Sequence, residues 1–229
     1  MEATLRLLGQ FSLTGANGLI PVDTQSARLL AALALSGRTN RAELSGLLWP
    51  EAGRARALAN MRAVVWRMPE GARRLLVGSC RELSLRDEVD VDVHRLCLRR
   101  RPDGLSPAYV GLGFDLDLLS APLLTGWYDE WVIVERERVR ACQVELLQQR
   151  ASAHLERGEP AAAVMDATWA VSIDPLNEAA HQLLLRSHLA EGNVNEAIRH
   201  FSDLRRLLNS ELGVSPFPDT MKIMEPCLR

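Results

Sequence analysis

The 229-residue sequence predicts a mainly α chain with small β elements: a winged helix-turn-helix followed by an all-α, tetratricopeptide-like helical repeat. Three observations predict this. In the first hundred residues, short alternating segments precede three segments with helical spacing, and a further strand pair follows them. In the second half, a shift of 34 residues superposes like residues on like. The two halves also carry opposite charge. The expected domains are residues 1–92 and 93–229.

Thr4-Leu5-Arg6-Leu7-Leu8 and Phe11-Ser12-Leu13 read as short strands broken at Gly9. Gly15 to Gly18 reads as a turn, and Leu19-Ile20-Pro21-Val22 as a third strand. Asp23 or Thr24 can cap a helix from about Gln25 to Ser36, with Leu29, Leu30, Leu33 and Ala34 at helical spacing and Gly37 after it. A second helix begins near Asn40, buries Leu44, Leu47 and Leu48, and closes at Pro50.

The third helix, about Arg54 to Met68, is the most informative. Ala57, Leu58, Met61, Val64, Val65 and Met68 share one face, while Arg56, Asn60, Ala63 and Arg67 line the other, with Ala59 beside them. Arginine and asparagine at that spacing can pair bidentately with guanine or adenine edges, and small alanines let a helix sit deep in a groove. Arg54 and Arg62 lie at the end and flank, where phosphates would be met. Pro69-Glu70-Gly71 stops the helix. Leu75-Leu76-Val77 and Leu83-Ser84-Leu85 then form a hairpin around Gly78-Ser79-Cys80-Arg81, and an arginine at its tip could reach a minor groove or a phosphate. Arg41, at the start of the second helix, is a further phosphate candidate.

Asp92 can cap a short helix through Arg101, and Pro102 to Pro107 reads as a connection. Gly111 to Leu124 reads as irregular, and the chain is strongly helical from Trp127 to about Gly158. The 34-residue shift then places His154 on His188, Leu155 on Leu189, Gly158 on Gly192 and Ala163 on Ala197. Pro175 falls where a tetratricopeptide unit closes. Small residues at Ala163, Ala167, Ala170 and Ala197 let paired helices approach, and Pro216 to Leu228 trails the repeats. Such a domain presents a groove to protein partners and supplies no chemistry by itself.

The net charge of −2 conceals an asymmetry: residues 1–101 hold 16 arginines against 10 acids, a balance of +6, and the rest balance to −8. Only the first half is therefore suited to a polyanion. No apolar run approaches the ~20 residues that cross a bilayer. The N-terminus lacks the pattern of a signal peptide, so a cytoplasmic chain without membrane attachment is expected. Cys80, Cys97, Cys142 and Cys227 are scattered, as reduced thiols are. An amphipathic helix with four arginines is ordinarily just a solvated surface helix. Its place between a three-helix frame and a wing, in the basic half, favours nucleic acid.

Over nearly its whole length the chain resembles the Streptomyces antibiotic regulatory protein family. The matching stretches are Leu5 to Gly9, Arg28 to Leu33, Leu44-Ser45-Gly46-Leu47-Leu48-Trp49-Pro50, Arg56 to Met68, Phe201 with Leu204 to Leu208, and Glu211-Leu212-Gly213-Val214-Ser215-Pro216. The resemblance implies an OmpR-type winged helix and a bacterial transcriptional activation domain. It implies binding to short direct repeats in double-stranded promoter DNA, side by side or as a homodimer. It also implies recruitment of RNA polymerase through sigma factor and core subunits, often at biosynthetic gene clusters. The DNA-contacting set expected is Arg41, Arg54, Arg56, Asn60, Arg62, Arg67, Ser79 and Arg81. In one departure, the family continues its recognition helix with further basic residues where Pro69-Glu70 stands here. Arg73 and Arg74 are the candidates to replace those phosphate contacts.

Other chemistry is set aside. His94 and Cys97 have a zinc-like spacing but no second pair nearby. Asp115 and Asp117 lack an EF-hand frame, His154 and His188 read as packing positions, and Trp127 and Trp131 as packing anchors. No G-x-x-x-x-G-K-[ST] and no Ser-His-Asp pattern occurs, so no catalytic residue, cofactor or metal is expected. Two rivals stand beside the regulator: a helical-repeat adaptor whose winged helix docks protein, and an activator gated by a small ligand.

Overall fold

The computed structural model describes residues 3–97 and 119–227, and the chain divides into two compact units. The first draws on residues 3–97 and 121–139, the second on 119–120 and 140–227. Residues 121–139, expected in the second domain, thus belong to the first unit.

In the first unit, β1 (Ala3–Arg6), β2 (Ser12–Gly15) and β3 (Gly18–Leu19) run antiparallel, with Leu5 opposite Leu13. The third strand is shorter than expected: its ladder ends at Leu19, and Pro21, which has no amide to donate, follows. Asp23, not Thr24, caps α1 (Thr24–Ser36), accepting from the amides of Gln25 and Ser26. Every residue from Ala27 to Ala34 except Arg28 is buried in it. A short β4 (Thr39–Asn40) leads to α2 (Arg41–Leu48), capped by the Asn40 side chain. Leu44 and Leu48 are buried as expected, but Leu47 is exposed, and Ser45, bonded to the Ala42 carbonyl at 3.0 Å, is buried instead.

Helix α3 (Arg54–Arg67) ends at Met68, but the chain does not leave helical geometry for long. Pro69 opens a further single turn, α4 (Glu70–Arg73), where the spacing predicts only a stop. Strands β5 (Leu76–Gly78) and β6 (Glu82–Leu85) form the wing, with β4 pairing on β6. Strand β7 (Val89–Val91) then adds to β1 in parallel, completing a four-stranded sheet of order β3-β2-β1-β7.

Asp92 opens α5 (Asp92–Cys97) and does more than cap it. Its buried carboxylate accepts from the amides of Leu7 and Leu8 at 3.0 Å and of Val93 at 2.7 Å, tying the chain after β1 to the chain after β7. The returning segment bonds there too: the Leu124 amide donates to the Leu7 carbonyl at 2.8 Å, and Thr125 to Gly9 at 2.7 Å. Arg28 pairs with Asp129, and Arg136 donates to the carbonyls of Leu123, Leu124 and Trp127. Phe11 stacks on Trp127, which meets Trp131 edge-on at 6.4 Å. These aromatic and ionic contacts explain why residues 121–139 pack with the first unit.

The second unit is a series of helices joined by short turns. Helix α6 (Glu130–Glu156), whose residues from Arg140 belong here, is followed by α7 (Pro160–Ile173), α8 (Glu178–Ala190), α9 (Val194–Leu212) and α10 (Pro218–Met224). The 34-residue repeat is visible in the backbone itself. Gly158 and Gly192 both turn at positive φ, the Glu159 amide bonds to His154 at 2.9 Å, and the Asn193 amide to His188 at 2.8 Å. Ala163 and Ala197, 34 residues apart, are both fully buried. Ala151, Ala167 and Leu184 form one core cluster; Leu185, Ala197, Phe201 and Met224 form another. Glu178 fixes α10 by accepting from the Phe217 amide at 2.6 Å and from the Thr220 hydroxyl.

Candidate nucleic-acid interface

Helix α3 carries the site. Gly53 precedes it without a side-chain cap and no acid stands in its first turn, so its first amides have no intrahelical partner. A helix start of this kind carries partial positive charge and suits a phosphate oxygen. The underside is apolar as the spacing predicts: Ala57, Met61, Val64 and Met68 are buried, Leu58 and Val65 partly so. Across from it, Arg56, Ala59, Ala63 and Arg67 are exposed and Asn60 is half-buried, while Arg54 and Arg62 are exposed at the end and flank.

None of these four guanidinium groups forms an ion pair among the described residues. Arg67 is the most tethered. Its Nε donates to the Ala63 carbonyl at 3.3 Å, and its charge is a minor contributor to the lowered pKa of Asp23, which the Ser26 amide chiefly causes. Of the proposed substitutes beyond the helix, Arg74 is paired with Glu70. Arg73 bonds only weakly, through Nη1 to the Trp66 carbonyl at 3.5 Å.

The wing is built tightly. At Gly78 a Cβ would lie 2.4 Å from the Glu82 carbonyl oxygen, so only glycine lets the strands close. The Ser79 hydroxyl accepts from the amides of Arg81 and Glu82 at 3.1 and 3.2 Å, shaping the tip. Arg41 is half-buried; its Nε donates to the Ser79 carbonyl at 2.8 Å and its amide to the Arg81 carbonyl at 2.8 Å. Arg41 and Ser79 therefore have a bracing task that the sequence did not reveal. The Arg81 guanidinium is exposed and has no partner among the described residues. The structure thus brings Arg41, at the start of α2, against Ser79 and Arg81 at the wing tip, and places Arg54, Arg56, Asn60, Arg62 and Arg67 on one helix.

One residue was missed. Trp66 stands on the solvent side of α3 with 77% of its surface exposed, whereas Trp131 is 8% exposed. Leaving roughly 200 Å² of aromatic surface in water forgoes several kcal/mol. The signal was present in the helical wheel, which puts Trp66 beside Ala59 and Arg62, away from the apolar face.

The sequence profile of the bacterial transcriptional activator domain matches residues 101–228. The chain belongs to that family. Regulatory protein AfsR of Streptomyces coelicolor is 30% identical over 228 residues, covering 90% of this chain and 22% of AfsR. AfsR of Streptomyces griseus is 34% identical over 95 residues, covering 42% of this chain and 10% of AfsR. The chain therefore spans about a fifth of the length of the first of these relatives. Together they place it with the Streptomyces antibiotic regulatory proteins, a family of transcriptional activators. Among solved structures it is similar to EmbR of Mycobacterium tuberculosis, determined in complex with a low affinity phosphopeptide. The TM-score is 0.76 and the identity 18%, over all of this chain and 65% of that one. That likeness gives the fold: a winged helix with a tetratricopeptide-like helical domain.

No helix among the described residues is long and apolar enough to cross a membrane. None of their His, Cys, Asp and Glu side chains cluster in threes that could hold a metal ion. His94 bonds to the Ala34 carbonyl at 2.6 Å; the Cys97 side chain, Asp115 and Asp117 lie outside the described residues. Cys80 is exposed, Cys227 half-buried and Cys142 buried, and none of the three is in a disulfide among the described residues.

Proposed function

We propose that this regulator binds direct repeats in double-stranded promoter DNA and recruits RNA polymerase, controlling a biosynthetic gene cluster. The observation that carries the reading is the solvent face of α3, four arginines that form no ion pair among the described residues, above a buried apolar underside. In this reading α3 lies in the major groove, where Arg56, Asn60 and Arg67 meet base edges and Arg54 and Arg62 meet phosphates. The wing contributes Arg81 beside the helix, with Arg41 and Ser79 setting its angle and adding phosphate contact. The acidic second unit contacts polymerase, and two copies sit side by side on the repeats.

Salt-varied binding to a promoter duplex tests the division of labour. Arg56→Ala should cost ~1–3 kcal/mol at one base position and leave other sequences little changed. Arg41→Ala should weaken all sequences and reduce the salt slope by about one. Identical behaviour of the two variants overturns the assignment. An intact chain that ignores DNA but captures a protein partner through the winged helix supports an adaptor instead.

A further inference from the structure

We infer that Trp66 reads the 5-methyl group of a thymine at the edge of the α3 footprint; this rests on the DNA-binding reading above. The indole is 77% exposed and makes no ring contact among the described residues. It stands one turn beyond Arg62 and three residues beyond Ala63, so it shares the flank of the small-residue strip at Ala55, Ala59 and Ala63. Around it on the chain are Arg62, Arg67 and Arg73, the last bonded to its carbonyl at 3.5 Å. None of these three is ion-paired among the described residues. An apolar protein surface laid over the indole would have to desolvate that ring of cations. A duplex neutralises them instead, and the apolar group that a major groove offers is the thymine methyl. The alanine strip lets the helix backbone approach closely enough for a side chain on its flank to touch the base edge. The large, rigid indole gives that contact area at little entropic cost, since only two side-chain torsions are fixed.

The test uses the intact chain and the duplex it selects from a random pool. Each thymine of that duplex is replaced singly by deoxyuridine, which lacks only the methyl group. One replacement in each half-site should weaken wild-type binding about 4-fold, the worth of one buried methyl. Trp66→Ala should lose at least that factor on the thymine duplex and become indifferent to the same replacement. Trp66→Phe should keep part of the discrimination, and heparin retention and melting temperature should match wild type for both. A Trp66→Ala chain that still distinguishes thymine from deoxyuridine overturns the inference. So does one that binds every duplex like wild type but fails to activate transcription, which would make Trp66 a polymerase contact. If the wild-type chain selects no duplex, the DNA-binding reading itself falls, a result visible without any variant.

Discussion

Arginine is handled differently on α3 and on the helical repeats, where Arg186 and Arg205 are exposed without an ion pair among the described residues but most arginines meet an acid. In the repeats, Arg150 donates to the buried Asp166 at 3.1 Å, Arg157 meets Glu159 at 3.2 Å, Arg199 meets Glu196 at 3.2 Å, and Arg206 is bonded to Asp203. On α3 none of the four arginines forms an ion pair among the described residues. A paired surface cation is locally neutralised and contributes little to long-range attraction. A row of unpaired ones on one helix face repels itself and is favourable only when a polyanion arrives. The difference separates a surface organised for its own stability from one organised for a partner.

The largest effect expected from breaking this contrast comes from replacing Arg54, Arg56, Arg62 and Arg67 together with alanine. Four lost phosphate or base contacts should lower DNA affinity by more than about 100-fold in a titration at moderate salt. Arg199→Ala with Arg206→Ala should change the same affinity less than about 2-fold, since exposed pairs carry little. Equal losses would erase the distinction between the two surfaces.

A second test removes a support beneath the α3 surface. Asp92→Ala leaves the amides of Leu7, Leu8 and Val93 without their acceptor in a buried site. It should destabilise the first unit by about 3 kcal/mol, read as a fall of several degrees in its melting transition. An unchanged transition would show that the carboxylate is not the clasp described here.

The repeats offer a pH test of their own. The first repeat pairs His154 with Asp166, Nε2 to Oδ2 at 3.4 Å; 34 residues on, the equivalent positions are His188 and His200, which interact electrostatically. His200 stacks on His181, with Nε2 and Nδ1 2.8 Å apart. Burial pushes His200 down to about 4, with help from the charges of His181 and His188, and burial also holds His181 below its ordinary value. Both are neutral when folded and take up protons when unfolded. Stability is therefore complete above about pH 6.5 and is lost as pH falls towards about 4. Because His200 is only partly buried, its share is on the order of 1 kcal/mol, measurable as a melting temperature that drops with acid. His200→Gln should flatten that dependence; an unchanged slope would place the titration elsewhere.

The smallest effect is expected at the wing. Gly78→Ala forces the strand away from the Glu82 carbonyl and should tilt the tip that carries Arg81, costing DNA affinity about 3-fold or more while α3 stays intact. Wild-type affinity would show that the wing is not engaged.

What was legible in the sequence is what depends on near neighbours. The underside of α3 could be read because its spacing is local, and the repeat because Gly158 with Gly192 and Ala163 with Ala197 mark equivalent turns and buried positions. Asp92 could be read only as a cap, because two of the amides it holds, those of Leu7 and Leu8, lie 85 and 84 residues away in sequence. The placement of residues 121–139 was hidden for the same reason, since it depends on backbone bonds to Leu7 and Gly9 and on Arg28. Leu47 misled because a helix of eight residues has too few turns to fix its buried face. Trp66 was overlooked because an aromatic residue is ordinarily assigned to the core.

The contrast between the two arginine surfaces is tested most directly by photocrosslinking. A photoreactive side chain placed at Arg56 in one preparation of the intact chain, and at Arg206 in another, is irradiated with labelled promoter duplex. Crosslinks to DNA from position 56 and none from position 206 are expected. Crosslinks from position 206 alone, or from neither position while the duplex is bound, would contradict the assignment of α3 as the DNA-facing surface.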